Sequence, residues 1–319
     1  MRLADTVSIP TRLSVVGESA AGRSFDKTLR KNEAVRIFTG APLPVGADTI
    51  VIQEDTKRDG DTIIIKEAPK PGQHIRRAGI DFSEGDSFFA AGRLLSASDV
   101  ALAAAMNIPE LSVFKKPRIA FFATGDELVL PGETPGPNQI VSSNSPGLSA
   151  LITELGGIPV DLGIARDNEA SIREYTERAQ DADILVTVGG ASVGDHDLVQ
   201  PVLTSMGLNV DFWRIAMRPG KPLMFGDFNE TPFLGLPGNP VSALVCGHLF
   251  LRAAISARQG ARATHPPLVP VTLGADLREN DKRQDYLRAT IQIVDGVWTA
   301  TPLNRQDSSM LSALSRSHC

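Results

Sequence analysis

The stretch FLGLPGNPVSALV, residues 233–245, passes from an apolar strand pattern to a helical one across a Gly-Asn pair set between two prolines. Proline at a first helical position has its φ preset and lacks an N–H that would go unpaired anyway, so Pro240 with Asn239 before it reads as a helix start. Pro237 and Gly238 remain. A turn this rigid at the end of a strand fixes the loop before anything binds. The free N–H groups and positive dipole end of the following helix suit an anion.

Moving outward, the same strand-turn-helix unit recurs. After Pro117 the chain alternates "RIAFFAT" as strand, "PGLSALITELGG" as helix, "PVDLGIA" as strand, "EASIREYTERAQ" as helix and "ILVTVGG" as strand. Continuously apolar strands separated by helices imply a parallel sheet covered on both faces. The expectation is an α/β fold whose core, residues 117–260, is a doubly wound, mostly parallel sheet.

The flanks read differently. Residues 3–75 carry short apolar bursts, "LSVVG", "VRIF", "TIVIQ" and "TIIIK", broken by turn-formers, and predict a small β domain. In residues 76–116, "SASDVALAAAMN" predicts a helix capped by Ser96 or Ser98, making this a partial linker domain. Beyond the prolines of "THPPLVPV", residues 261–319 predict a last β domain with strands in "VTLGADL", "DYLRATIQIV" and "VWTATPL".

Bulk composition narrows the partners. The 319 residues are 42% hydrophobic and 22% charged, ordinary for a folded domain protein, with net charge −5 and no basic cluster. This argues against nucleic acid or an anionic membrane as main partner and makes any phosphate site local. Two cysteines, Cys246 and Cys319, make no disulfide framework, and the apolar stretch from Ala243 to Ile255 is broken by His248 and Arg252. The expectation is a cytoplasmic protein, neither exported nor membrane-spanning.

In a doubly wound sheet, ligands bind beyond the carboxyl ends of the strands, which singles out three loops. "TGDEL" brings Asp126 and Glu127 to a strand end behind a permissive Gly125; Asp126 reads equally as a turn residue, Glu127 less so. "GGASVGDHD" leaves the amides of Gly189, Gly190 and Gly194 unobstructed for a phosphate, or forms only a turn. Asp197 in it reads as a helix N-cap or as a Mg²⁺ or substrate contact, whereas His196 between two aspartates lacks zinc spacing. The third loop is "GLPGNP", preceded by "WRIAMRPGKPLMFG", where Arg214, Arg218 and Lys221 place three cations within eight residues. A phosphate-rich ligand fits this mixture.

Together, "RIFTGAPLPVGAD", "QEDT", "RRAGIDF", "TGDEL", "GGASVGDHD", "RPGKPL" and "GLPGNPVSAL" resemble, in order and over nearly the whole chain, the molybdopterin molybdenumtransferases, which share this core with the E domain of gephyrin. The resemblance implies insertion of molybdate into adenylylated molybdopterin with Mg²⁺, giving molybdenum cofactor and AMP, in a cytoplasmic homodimer. It implies catalytic roles for Glu127, Asp197 and Asp81, with Asp197 and Glu127 at the metal. Substrate binding falls to Thr39, Asp167, Gly189, Gly190, Ser192, Arg214, Arg218, Lys221, Pro237, Pro240, Arg288 and Ser308. Each has a plainer reading: Thr39 as a strand end, Asp81 as a turn residue, Asp167 as the N-cap of the helix near Glu169. Arg214 and Arg218 stand where such proteins often have lysine, which keeps the charge but replaces a point donor with a planar fork.

Relative to the family pattern, the chain begins just beyond where an "MDGYA"-like motif would end and stops one strand early, which implies a fragment or a shortened variant that lacks part of the linker domain, through which the family builds its dimer, and a site carboxylate. Other functions compatible with the same core are molybdopterin adenylylation, disfavoured by the flanking β domains, and a catalytically impaired fragment or a scaffold of the same fold.

Overall fold

The computed structural model describes residues 1–190, 198–261 and 268–318. Two compact units share the chain, Met1–Phe88 and Phe89–Cys319, so the boundary between them falls inside the segment 76–116.

In the first unit, β1 (Thr11–Ser19), β2 (Glu33–Ile37), β3 (Thr56–Asp59) and β4 (Thr62–Ile65) form one sheet in the order β2-β1-β4-β3. Strands β3 and β4 pair through the two-residue turn Gly60–Asp61, where the positive φ of Gly60 (59°) matches the twist of a tight hairpin. Leu13, Ala34 and Ile65 are buried under the sheet with Met1. The expected strand in "TIVIQ" does not form. There the backbone bonds go to loops: the Thr49 N–H donates to the Met1 carbonyl and the Ile50 N–H to that of Gln73, and a short 3₁₀ turn follows at Gln53–Asp55. With no neighbouring strand to pair with, the apolar run stays irregular.

The second unit opens with α1 (Ala97–Ala105). Ser96, not Ser98, is its cap, in a reciprocal capping box with Asp99. The core then runs β5 (Arg118–Thr124), β6 (Leu128–Val129), β7 (Ile140–Val141), α2 (Asn144–Glu154), β8 (Ile158–Ala165), α3 (Glu169–Glu177), β9 (Ile184–Val188) and α4 (Val199–Ser205). It continues through β10 (Leu208–Trp213), β11 (Met217–Arg218), β12 (Met224–Phe228), β13 (Thr231–Leu236), α5 (Pro240–Cys246) and α6 (Arg252–Arg258). The six-stranded sheet has the order β10-β12-β13-β9-β5-β8; β12 alone runs antiparallel to the rest.

Strand alternation divides the core in two. Ile119, Phe121, Ala123, Ile184, Val186 and Val188 face α2, α5 and α6, whereas Ala120, Phe122, Leu185 and Phe233 face α3 and α4. Phe121, Phe122 and Phe233 are fully buried, each stabilising the fold by about 1.5–3 kcal/mol. Helices α5 and α6 are joined by a π-helical turn, Gly247–Leu251. The run Pro240–Arg258 is apolar enough in composition to cross a bilayer. Here its Ala243, Cys246, Leu251 and Ile255 are buried against the sheet, which accounts for the apolarity.

The order of connections reverses between β5 and β9: β5 leads outward to β8, while β9 leads toward β10 and β13. That is a topological switch point, and the register Ala123↔Val188↔Leu236 brings three strand ends level there.

The carboxyl-terminal segment adds β14 (Thr272–Leu273), β15 (Gln284–Asp285), β16 (Ala289–Val294), β17 (Val297–Pro302) and α7 (Leu311–Arg316). Three of these strands form a sheet in the order β14-β17-β16, while β15 pairs in parallel with β11 of the core. The strand in "VTLGADL" shrinks to two residues, and α7 is unannounced by the sequence pattern.

Candidate functional site

At the end of β5, Gly125 (φ 153°) turns the chain so that the Glu127 carboxylate folds back over it: a Cβ at Gly125 would lie 2.6 Å from Glu127 Oε2. The Glu127 carbonyl is pinned by the Ile140 N–H at 2.8 Å, fixing the loop to the β6–β7 pair. Asp126 and Asp167 exchange backbone-to-carboxylate bonds, each N–H donating to the other's carboxylate at 3.4 Å. Asp167 is not the cap of α3. Asn168 is, its side chain accepting from the Ser171 N–H at 2.9 Å, and this leaves Asp167 facing the first loop. Partial desolvation pushes the Asp167 carboxyl above its ordinary range; the Asp126 N–H pulls it back, and the nearby Asp126 and Glu127 charges add lesser upward pushes. Glu127 and Asp167 are thus brought to one acidic corner.

The second loop enters through Gly189 and Gly190, at φ 92° and 61°. Side chains are excluded from both: a Cβ on Gly189 would lie 2.9 Å from the Thr124 carbonyl oxygen, and one on Gly190 would lie 2.2 Å from Val199 Cγ2. The Gly189 N–H donates to the Leu236 carbonyl, tying this loop to the third. Ser192, Gly194, His196 and Asp197 lie outside the described residues.

In the third loop Pro237 is buried and Pro240 takes the first position of α5. Asn239 occupies the cap position as expected, but its side chain does not cap. It donates to the Ser308 hydroxyl at 2.9 Å, while the Val241 N–H donates to the Ser308 carbonyl at 3.1 Å. One free amide at the start of α5 is therefore already taken by the carboxyl-terminal segment. On the other side, the Asn144 amide donates to the Gly238 carbonyl at 2.7 Å, joining the start of α2 to the same turn.

Ser308 leads to Arg288. Arg288 is 3% exposed; its guanidinium donates to the Asp307 carbonyl at 3.1 Å, and its Nε finds no acceptor among the described residues. Burial pulls its pKa down, partly offset by Asp307. A buried cation without a carboxylate partner is costly unless an anion arrives.

The three cations of the 214–221 segment separate. Arg218 is bound to Asp285 and lies 3.4 Å from Asp281, so its charge is neutralised and it fastens β11 to β15. Of the three cations that the sequence places within eight residues, Arg218 is thus already ion-paired. Arg214, at φ 69°, lies 4.1 Å above the Trp213 ring at the carboxyl end of β10, and Lys221 is exposed on the same loop; neither has a carboxylate within ion-pair reach among the described residues. Since β10 runs in the same direction as β13 and lies two strands away, Arg214 stands at the same sheet edge, about 10 Å from the third loop.

Thr39 and Asp81 belong to the first unit. Both are exposed; Thr39 lines a cleft of ≈ 1180 Å³ with Arg36, Phe38, Ile52 and Gln53, and Asp81 lies on an irregular segment. Sequence reasoning passed over Thr124, Ser142, Asn144 and Ser145. The Ser/Asn cluster in "SSNSP" before α2 was the available signal.

Comparison with known proteins agrees with this architecture. Residues 2–107 match the MoeA N-terminal region (domain I and II), 120–257 a probable molybdopterin binding domain, and 270–319 the MoeA C-terminal region (domain IV). A molybdopterin molybdenumtransferase of Nostoc sp. is 38% identical over 91% of this chain and 67% of its own, and that of Haemophilus influenzae 36% identical over 100% and 80%. Two crystal structures of a molybdopterin biosynthesis MoeA protein from Pyrococcus horikoshii give TM-scores of 0.79 and 0.81 at 31% and 27% identity, each covering 99% of this chain and 79% of theirs. The chain belongs to the molybdopterin molybdenumtransferase family.

Proposed function

We propose that this chain inserts molybdate into adenylylated molybdopterin, releasing AMP and leaving molybdenum cofactor. The observation that carries the reading is the meeting, at one switch-point edge, of an acidic corner, a glycine pair with positive φ packed against the end of β5, and a buried arginine without a carboxylate partner. The family relationship supplies the substrate; the residues supply the means.

Two oxyanions must be held. Arg288 with Ser308 suits a compact one, molybdate, because a desolvated guanidinium gains most from a small dianion and the hydroxyl adds a neutral donor. Arg214 and Lys221 rim the edge where a diphosphate and its nucleotide would extend. Pro237 and Pro240 keep the wall between them rigid, so little freedom is lost on binding. Asp167 and Asp126 suit the hydrogen-bond donors of a pterin ring, and the raised Asp167 carboxyl makes it a proton acceptor near the reacting centre.

The same acidic corner fits Mg²⁺. Its donors are hard oxygens. Desolvation, with a lesser push from the Asp126 and Glu127 charges, disfavours the ionised Asp167 carboxylate, and a bound cation would relieve both. Among the described residues no group of three acidic, His or Cys side chains forms a ready cage, which matches a metal that keeps waters and takes one or two carboxylates plus phosphate. Glu127 and Asp197 would hold it, and it would neutralise charge on the breaking anhydride. A homodimer is proposed from the family resemblance. A cytoplasmic setting suits the buried, reduced Cys246, whose thiol burial pushes up to about 12.

The test is AMP release from adenylylated molybdopterin with and without molybdate. Molybdate-dependent release supports the reading. ATP-driven adenylylation of molybdopterin with no such release would replace it with the adenylyltransferase alternative.

A further inference from the structure

Four buried oxygen atoms at the switch-point edge have no hydrogen-bond partner among the described residues: Thr124 Oγ1, Ser142 Oγ, Asn144 Oδ1 and Ser145 Oγ. Ser142 and Ser145 are each 3% exposed and Thr124 6%. Buried hydroxyls are normally paired, and several orphans in one place mark where a partner is missing. Three of the four flank the first residues of α2, an eleven-residue helix whose N-cap, Ser143, makes no side-chain capping bond. The N–H groups of Asn144 and Ser145 have no helical acceptor, and Pro146 contributes none, so the positive end of α2 stays open.

These groups belong to one strip. The Asn144 amide binds the Gly238 carbonyl; a Cβ on Gly238 would lie 3.6 Å from Gly189 Cα; and a Cβ on Gly189 or Gly190 would lie 3.1 Å from Thr124 Oγ1. The backbone of the two glycines thus packs directly beside the Thr124 hydroxyl, and the turn after β13 links it to the amino end of α2.

We propose that the amino end of α2, with the hydroxyls of Ser142, Ser145 and Thr124, is a charge-free subsite for the diphosphate group of the ligand. It rests on the proposed function for the ligand's identity, but the chemistry stands by itself. Hydroxyls and helix amides are donors without net charge, which suits a phosphate already partly neutralised elsewhere. It also separates this subsite from the Arg288–Ser308 corner. The contribution of neutral donors is less sensitive to salt than that of exposed Arg214 and Lys221.

The test is calorimetric titration of the full chain with inorganic pyrophosphate and, separately, with molybdate, at low and high salt, beside a thermal melt. In the Ser142→Ala/Ser145→Ala double variant, pyrophosphate affinity should fall at least about ten-fold at both salt concentrations, with molybdate affinity unchanged. The melting temperature should stay level or rise, since unpaired buried hydroxyls are being removed. Thr124→Val, which keeps side-chain volume, should act in the same direction if the double variant does not fold. Unchanged pyrophosphate affinity, no pyrophosphate binding to the wild type, or a loss of melting temperature matching the loss of binding would overturn the proposal. Hydroxyl-dependent pyrophosphate binding without molybdate-dependent AMP release would overturn the assigned function and leave the subsite standing.

Discussion

Gly189→Ala puts the convergence of the loops under direct strain. Two costs add. A non-glycine residue at φ 92° costs about 1–2 kcal/mol. The new Cβ lies 2.9 Å from the Thr124 carbonyl oxygen, which belongs to a buried central strand and cannot swing aside, so overpacking adds about 1–3 kcal/mol. The total, about 2–5 kcal/mol, is a large part of a typical stability of about 5–15 kcal/mol. At about 2–4 °C per kcal/mol for a unit of this size, the melting temperature should drop by roughly 4–20 °C. Gly238→Ala is the matched control: its φ is not positive and its Cβ would meet only Gly189 Cα, at an ordinary 3.6 Å, so the change should stay within about 0.5 kcal/mol. Differential scanning calorimetry on both variants decides. Equal melting temperatures for the two, or a greater loss for Gly238→Ala, would refute the close approach of the second loop to β5.

Asp167→Asn should raise stability at neutral pH by up to about 1 kcal/mol, the scale of exposed charge pairs, while lowering activity. The sign follows from its raised pKa: the native state holds this proton longer than the unfolded chain, so ionising Asp167 costs stability as pH rises through the carboxylate range. The gain over wild type should therefore vanish at acid pH, and a gain that persists there would contradict the charge cluster. Arg218→Ala should free β15 from β11, seen as faster amide exchange at Gln284 and Tyr286, whose N–H groups donate to the Ala216 and Arg218 carbonyls; unchanged exchange would show that the ion pairs with Asp281 and Asp285 are dispensable. Trp213→Leu should weaken pyrophosphate binding about two- to five-fold by releasing Arg214 from its ring contact, and an undiminished affinity would mean that Arg214 needs no such support.

The core was legible because its strands are apolar at nearly every position, on both faces. Burial on both faces leaves "RIAFFAT" and "ILVTV" no polar side, and that pattern has few solutions other than a covered parallel sheet. The turn "GLPGNP" was legible in its backbone and misread in its side chain. Pro240 and Asn239 take the expected helix positions, but Asn239 reaches Ser308, sixty-nine residues away, and no local pattern encodes such a partner. Arg218 fails for the same reason, since Asp281 and Asp285 neutralise it across a long separation. "TIVIQ" has the residues of a strand and lacks a neighbour, so propensity yields to the absence of a ladder. Asp167 and Asn168 show the limit at single-residue scale: both can cap a helix, and the pull of Asp126 across the sheet edge decides which one does.

The most direct measurement of the central claim is single-turnover AMP release from adenylylated molybdopterin, with molybdate, by wild type and by Glu127→Gln, with melting temperatures recorded alongside. Glu127 is exposed, buries little apolar surface and folds over Gly125 at the acidic corner, so the substitution should leave stability within about 0.5 kcal/mol. Molybdate-dependent release should be present in the wild type and at least about a hundred-fold slower in the variant, the scale of a lost catalytic group. Equal rates in the two proteins, or a slower rate explained by unfolding, would contradict a reaction centre at this edge of the sheet.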